Sequence, residues 1–305
     1  MRSHLVPWAV ARVKAKQGRT ISSARLGFSG ALLYGVVQCG AACTLKPPPI
    51  ERAALLAERH REPEAIALLE EHLTQEPFAD RERRLLIRLY GSVGRVDAAA
   101  IQTERLAEYL PPGSPIPWVE LGHACELAHR YDEALAAYDR AASVAPADAL
   151  GPRNGGLRAA RWGELEWAEP RLEEALRRKS SDAEVWHALG LVRARLGNFE
   201  SAREAYSKGL AADPAALENR LGLATVALQL DQPAAALEQY ELLLAARPRF
   251  VEALLGKSWS LIAMGKLDAA EHVLERAEQL RVDRESVSRQ RRAIAERRQP
   301  GAALP

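Results

Sequence analysis

The chain has little from which strands, disulfides or a uniformly charged surface could be built. Alternating runs of Val, Ile and Thr are almost absent from its 305 residues, which removes the period-two signature of half-buried β-strands. Of its three cysteines, Cys39 and Cys43 fall in the first 45 residues and only Cys125 stands in the body of the chain. With the leader processed, no intramolecular disulfide framework is possible, and Cys125, inside a helical pattern, reads as a small buried hydrophobe. Forty-two Lys and Arg against 40 Asp and Glu leave a net charge of +2, which gives no global electrostatic case for nucleic acid. Nor do the motifs of chemistry appear. The seven histidines, His4, His60, His72, His123, His129, His187 and His272, show no metal-ligand spacing with Cys or acid. The stretches LGLATVAL and LLGKSWSL place Gly near Thr or Lys inside helical patterns rather than in a phosphate-cradling loop, and no Ser occupies a nucleophile elbow. Catalytic residues, cofactors and metals are all expected to be none, and the chain is expected not to be an enzyme.

What is present is Ala, Leu and Arg in a repeating order. Ala and Leu favour helix, and the stretch VWHALGLVRARLGNFESAREAYSKGLAADP places Gly190 twelve residues before Ala202 in what otherwise reads as good helix. The same spacing recurs 34 residues earlier at Gly156 and Ala168, and 34 earlier again at Gly122 and Ala134. A fixed period of this length overrides the usual prior of about two globular domains and means stacked units. The units run 81–114, 115–148, 149–182, 183–216, 217–250 and 251–284, with a weaker one at 46–79. Each reads as two antiparallel helices meeting through small residues: Gly190 with Ala202, Gly122 with Ala134, Gly156 with Ala168, Ala224 with Ala236, Ser258 with Ala270. Pro146, Pro214 and Pro248 are placed to stop second helices.

Trp118, Leu121, Gly122, Ala134, Tyr138, Ala141 and Pro146, and again Trp186, Leu189, Gly190, Ala202, Tyr206 and Pro214, resemble the tetratricopeptide repeat pattern in period and in order of large and small residues. Elsewhere Arg220 and Leu254 replace the Trp, Ser258 the Gly, and Ser180 and Val282 the Pro. The resemblance implies an all-α, right-handed superhelical solenoid of about seven helix pairs over residues 46–284. Residues 285–305 follow as a capping helix and tail. In that segment ESVSRQRRAIAERR carries Arg289, Arg291, Arg292, Arg297 and Arg298. It reads as a solvating terminal helix, with an anion-binding surface as the other reading.

Residues 1–45 differ from the rest. Six basic side chains precede LGFSGALLYGVVQCGAA, which carries no charge, the order of an export signal. Cys43 follows Gly40, Ala41 and Ala42. This resembles the lipobox of bacterial lipoproteins, with Gly40 where that family usually has Leu, and implies acylation at Cys43. Ordinary cleavage near Ala42, an uncleaved signal anchor and a start codon assigned too early are the other readings. Thr44 after the Cys favours the outer membrane by the same resemblance, and Lys46 to Pro49 would form a stiff tether.

In the resembled family the inner face, built from first helices, holds an extended peptide or partner helix. Three columns at 34-residue intervals should line it: Leu127, Arg161, Arg195, Gln229 and Ala263; Val119, Arg153, His187, Leu221 and Leu255; His123, Leu157, Leu191, Thr225 and Trp259. The candidate groove is therefore basic in its middle, with Arg153, Asn154, Arg161, His187 and Arg195, and apolar later, with Leu221, Leu228, Leu255, Trp259 and Ile262. Arg can hold carboxylates by paired hydrogen bonds and Trp among aliphatics makes an anchor pocket, so a partner segment with an acidic and an apolar portion is expected. Solvated arginines, with the apolar residues packed on a neighbouring helix, are the alternative. Only Asn154 matches the Asn and Lys pairs of repeats that clamp chaperone tails, which argues against that specialisation. Trp162 and Trp167 flank one inter-helix turn, and one exposed Trp there would mark an interface.

Two functional classes follow. One is a lipid-anchored, periplasm-facing scaffold of the bacterial envelope that binds protein segments, similar in layout to the pilot lipoproteins of type IV pili and to lipoproteins assisting outer-membrane barrel assembly. The other is a soluble cytoplasmic adaptor or regulator, or a constitutive accessory subunit of one complex. Oligomeric state is not fixed by the sequence.

Overall fold

The structure is a computed structural model that describes residues 47–280 and 284–299. The leader, with Cys39 and Cys43, lies outside the described residues. Fifteen helices are described: α1 Pro49–Glu58, α2 Glu62–Gln75, α3 Asp80–Ser92, α4 Val96–Tyr109, α5 Ile116–Leu127, α6 Tyr131–Val144, α7 Leu150–Trp162, α8 Leu165–Arg178, α9 Ala183–Arg195, α10 Phe199–Ala212, α11 Leu217–Gln229, α12 Pro233–Ala246, α13 Val251–Ala263, α14 Leu267–Glu278 and α15 Arg284–Arg298. No strand occurs among the described residues. Seven consecutive helix pairs, closed by α15, form the all-α solenoid expected from the repeat. Each helix packs on its pair partner, and each second helix packs on the first helix of the following pair.

The sequence explains where helices start and stop. Pro lies at the first or second position of α1, α2, α5 and α12, where its missing N–H costs nothing and its fixed φ suits the helix. The Asp182 carboxylate caps α9 by accepting from the Val185 N–H at 3.2 Å. Helices α6, α10 and α12 end two residues before Pro146, Pro214 and Pro248, as the residue before a proline resists helical geometry. Between pairs α3–α4 and α5–α6 the run Leu110 to Pro115, LPPGSP, makes a longer connection. There α3 and α5 approach so closely that a Cβ at Gly91 would meet the Ala124 backbone at 2.4 Å.

The small residues of first helices meet the large residues of second helices. A Cβ on Gly190 would first meet not Ala202 but the Tyr206 ring, at 2.6 Å, and a Cβ on Gly222 would meet the same ring at 2.4 Å. Gly122 faces Tyr138, Gly256 faces Tyr240 and Gly156 faces Leu172 in the same way. Each glycine thus opens a slot for the large residue of a second helix, and the ring, buried on both faces, welds a pair to its neighbour. Ser258 does approach Ala270, its Oγ lying 3.4 Å from the Ala270 carbonyl.

The large-residue position also has a chemistry that residue size conceals. The Trp186 indole N–H donates to the Ser180 carbonyl at 2.7 Å, the Arg220 guanidinium to Pro214 O at 3.1 Å and the Arg83 guanidinium to Pro77 O at 2.6 Å. In each case the acceptor lies six residues earlier, in the turn between pairs. Arg and Trp are interchangeable here because both pair an apolar body with a terminal N–H that satisfies an orphan turn carbonyl. Arg83 fills this place in α3.

Candidate functional site

Position along the repeat brings the predicted groove residues onto the first helices, but their availability differs. Arg161 and Arg195, in the last turns of α7 and α9, are exposed and make no hydrogen bond or ion pair among the described residues. Arg153 is already engaged. Its Nε donates to Asp182 at 2.8 Å, and its Nη2 bonds Glu184. Burial alone would raise the Asp182 carboxyl, but the Arg153 guanidinium and the Val185 N–H overcome it and hold the group below the usual aspartate value. Arg153 thus ties α7 to the start of α9 instead of standing free for a ligand. Asn154 spends its Nδ2 on the Leu150 carbonyl of its own helix, at 2.8 Å.

His187 is half-buried, its ring 5.9 Å from that of Tyr206. Burial depresses its pKa, while Glu218 and Glu184 pull the other way without prevailing. The Tyr206 phenol is pushed up by burial, opposed by the Arg195 charge. The middle of the face is thus a basic rim over a largely neutral floor.

The later, apolar part is mostly spoken for. Leu221 and Leu228 are partly buried against the cluster around Ala224, Tyr240 and Leu243. Leu255 and Trp259 are partly buried against the cluster of Leu261, Ile262, Ala270 and Leu274 with Val287 and Ile294 of α15. Ile262 is only 1% exposed, so it belongs to the core beneath α15 and not to a surface that a partner can reach. The arginines of α15 are largely consumed in seating it. Arg291 bonds Glu271 at 2.7 Å and Glu278 at 2.8 Å, Arg298 bonds Asp268 at 2.6 Å, and Arg297 donates to the Ile262 carbonyl at 2.6 Å. The helix is a cap fastened by charge, and the alternative of an anion-binding surface loses most of its free cations.

Apolar surface does occur beside the free arginines. Leu127 is 48% exposed and Leu191 38%. Both stand in the predicted columns, although only their charged neighbours had been singled out. Tyr131 stacks on Trp162, ring centroids 4.5 Å apart, and Trp167 is exposed on the same turn. Trp162 itself packs on the cluster of Cys125 and Tyr138. Sequence reasoning missed the buried carboxylate of Glu120. It takes both Arg88 donors at 2.5 and 2.8 Å and lies 3.8 Å from His123. Burial would raise its pKa, but His123 and Arg88 hold it below the usual glutamate value. Only the distance of 32 residues between Arg88 and Glu120, close to one repeat, could have signalled the pair. Among the described residues no group of three or more His, Cys, Asp or Glu side chains is placed to hold a metal ion. None of the described helices is long and apolar enough to cross a membrane.

Comparison with known proteins agrees with this architecture. Tetratricopeptide repeat models match residues 183–216 and 221–283. No curated protein matches the sequence. Among solved structures, YrrB, described as a TPR protein with an unusual peptide-binding site, superposes with a TM-score of 0.56 at 17% identity, over 62% of this chain and 97% of its own. The C-terminal part of a TPR repeat-containing protein from Cytophaga hutchinsonii superposes with a TM-score of 0.59 at 15% identity, over 78% and 98%. MamA gives 0.50 at 19% identity, over 52% and 94%. With tetratricopeptide repeat models matching α9 to α14 and the same helix-pair stacking from α1 onward, the fold is that of a tetratricopeptide repeat solenoid.

Proposed function

We propose that the chain is a non-catalytic scaffold that receives a segment of a partner protein along the face lined by its first helices, the segment carrying acidic side chains and apolar anchors. The observation that carries this reading is the pair Arg161 and Arg195, exposed, unneutralised and in the same place on adjacent first helices, with Leu127 and Leu191 exposed beside them. A fold neighbour described as having a peptide-binding site supports it. A photo-crosslinking residue in place of Leu191 in the full chain tests it. It should capture a protein segment in cells, while the same residue in place of Leu242, exposed on α12, should not. Equal capture at both places, or none at Leu191, overturns the reading.

We place this scaffold at the periplasmic side of a bacterial envelope, held to the outer membrane through acylated Cys43. The basic, apolar, small-residue order of the leader supports it. Fatty-acid labelling should disappear in Cys43→Ala and persist in Cys39→Ala; label persisting in Cys43→Ala refutes the assignment.

A further inference from the structure

From α5 to α13, every cation on a first helix except two is satisfied within the protein. Besides Arg153, Arg158 bonds Glu126 at 2.9 Å, Arg193 bonds Glu169 at 2.9 Å and Glu173 at 2.6 Å, and Lys257 bonds Glu241 at 2.7 Å. Arg220 spends its donors on Gln239 and the Pro214 carbonyl, both at 3.1 Å. The two left over, Arg161 and Arg195, stand 34 residues apart. They project from helices that pack on each other. An exposed pair of guanidinium groups with no acid of its own chain beside it can take two carboxylates from a partner.

We propose that these two guanidinium groups act as a ruler, reading acidic side chains at positions i and i+3 of a partner segment in polyproline II conformation. An apolar side chain three residues to one side would seat on Leu127. This rests on the groove reading above and adds its register. Packed helix axes lie about 8–10 Å apart, and a polyproline II segment repeats its facing side chain every three residues, about 9 Å. A β-strand offers same-face spacings of about 7 or 13 Å, which straddle the target. An α-helix reaches about 10.5 Å only at i and i+7. The column that holds the arginines reads Leu127, Arg161, Arg195, Gln229. Its complement is an apolar residue, two acids and a hydrogen-bonding residue, each three apart. The pre-extended conformation also spares the segment part of the ordering entropy on binding.

The test uses the full chain and fluorescently labelled proline-rich peptides with one leucine and two glutamates at intervals of three, made in both chain directions. Controls of the same composition space the glutamates two, four or seven apart. In one of the two directions the three-spaced peptide should bind at least about tenfold more tightly than the controls, about 1.4 kcal/mol. That advantage should vanish in Arg161→Gln and in Arg195→Gln with an unchanged helical circular-dichroism signal. With Arg195→Glu, a peptide bearing lysine at the corresponding acid should regain affinity. Equal affinity at all spacings, best binding at seven, or an advantage that survives both Gln substitutions overturns the ruler. If no peptide binds, the ruler falls, while the scaffold reading stands or falls separately on crosslinking from Leu191.

Discussion

Helices α9 and α13 hold equivalent places two repeats apart, and the same three positions on them have been put to opposite uses. His187, Leu191 and Arg195 of α9 correspond to Leu255, Trp259 and Ala263 of α13. On α9 the row ends in an exposed Leu and a free guanidinium, whereas on α13 Leu255 and Trp259 are partly buried against the cluster that Leu261 and Ile262 form with Val287 and Ile294 of α15. Repeat position therefore says where a side chain starts but not whether a partner can reach it. The apolar end of the face is occupied because a terminal repeat must cover its own outer side. What remains uncovered is the middle.

This contrast can be broken from the capped end first. Ile294 is 1% exposed and anchors α15 over Leu261 and Leu274. Ile294→Ala should cost about 3 kcal/mol, the lost burial plus the cavity left behind, read as a lower urea midpoint. An unchanged midpoint would mean that α15 does not seal the core. In the middle, Gly190→Leu should cost about 2 kcal/mol, since the added side chain must displace the Tyr206 ring. Ser258→Ala, at the equivalent place in α13, gives up only a 3.4 Å hydrogen bond and should cost less than about 1 kcal/mol. Equal losses from the two would contradict the tyrosine slot. Trp259→Ala should lower stability by about 1.5 kcal/mol, because part of its surface is buried against the cluster beneath α15. It should change partner capture less than loss of the arginines does.

The fold was legible because a periodic structure needs a periodic sequence, and Gly190, Tyr206 and Pro214 return at fixed intervals. Which residues touch was harder to read. Gly190 and Ala202 share a helix pair, but the ring that needs the space is four residues further along α10, and Gly222 of the next pair shares the same slot. Arg220 looks like a loss of the Trp, yet its N–H group reaches the same turn carbonyl as the Trp186 indole does. The site was half legible. Arg161 and Arg195 declared themselves by spacing, but the fate of Arg153 depended on Asp182 and Glu184, acids of the next repeat. Ile262 fell outside the inner columns and under a helix that begins 22 residues later.

A pH experiment sharpens the comparison within α9. His187 has its pKa depressed by burial, so the folded state binds its proton less readily than the unfolded chain does. Its contribution is fully present above the unfolded value of about 6.5 and is lost as pH falls from there through the lower folded value. Asp182 and Glu120, also depressed, lose theirs only in the more acid carboxylate range. Between pH 7 and 5.5, His187→Gln should therefore flatten the decline in stability that the parent shows. A parallel decline in both proteins would place the titrating group elsewhere.

The smallest expected effect is the most discriminating. Arg161 and Arg195 touch no acid, so their removal strands no buried charge, and each loses only the favourable placement of a cation at a helix C-terminus. Arg161→Gln and Arg195→Gln should each change unfolding free energy by less than about 0.5 kcal/mol. Arg153→Gln, one turn into the same α7, should cost more, because Asp182 and Glu184 then lose their counter-charge and Asp182 is the more buried of the two. Denaturant unfolding of the three variants decides whether the free pair is structural. Stability losses at Arg161 or Arg195 as large as that at Arg153 would mean that the fold uses these guanidinium groups itself. A near-zero loss with an intact fold leaves them as surface charge that the protein keeps for something outside itself.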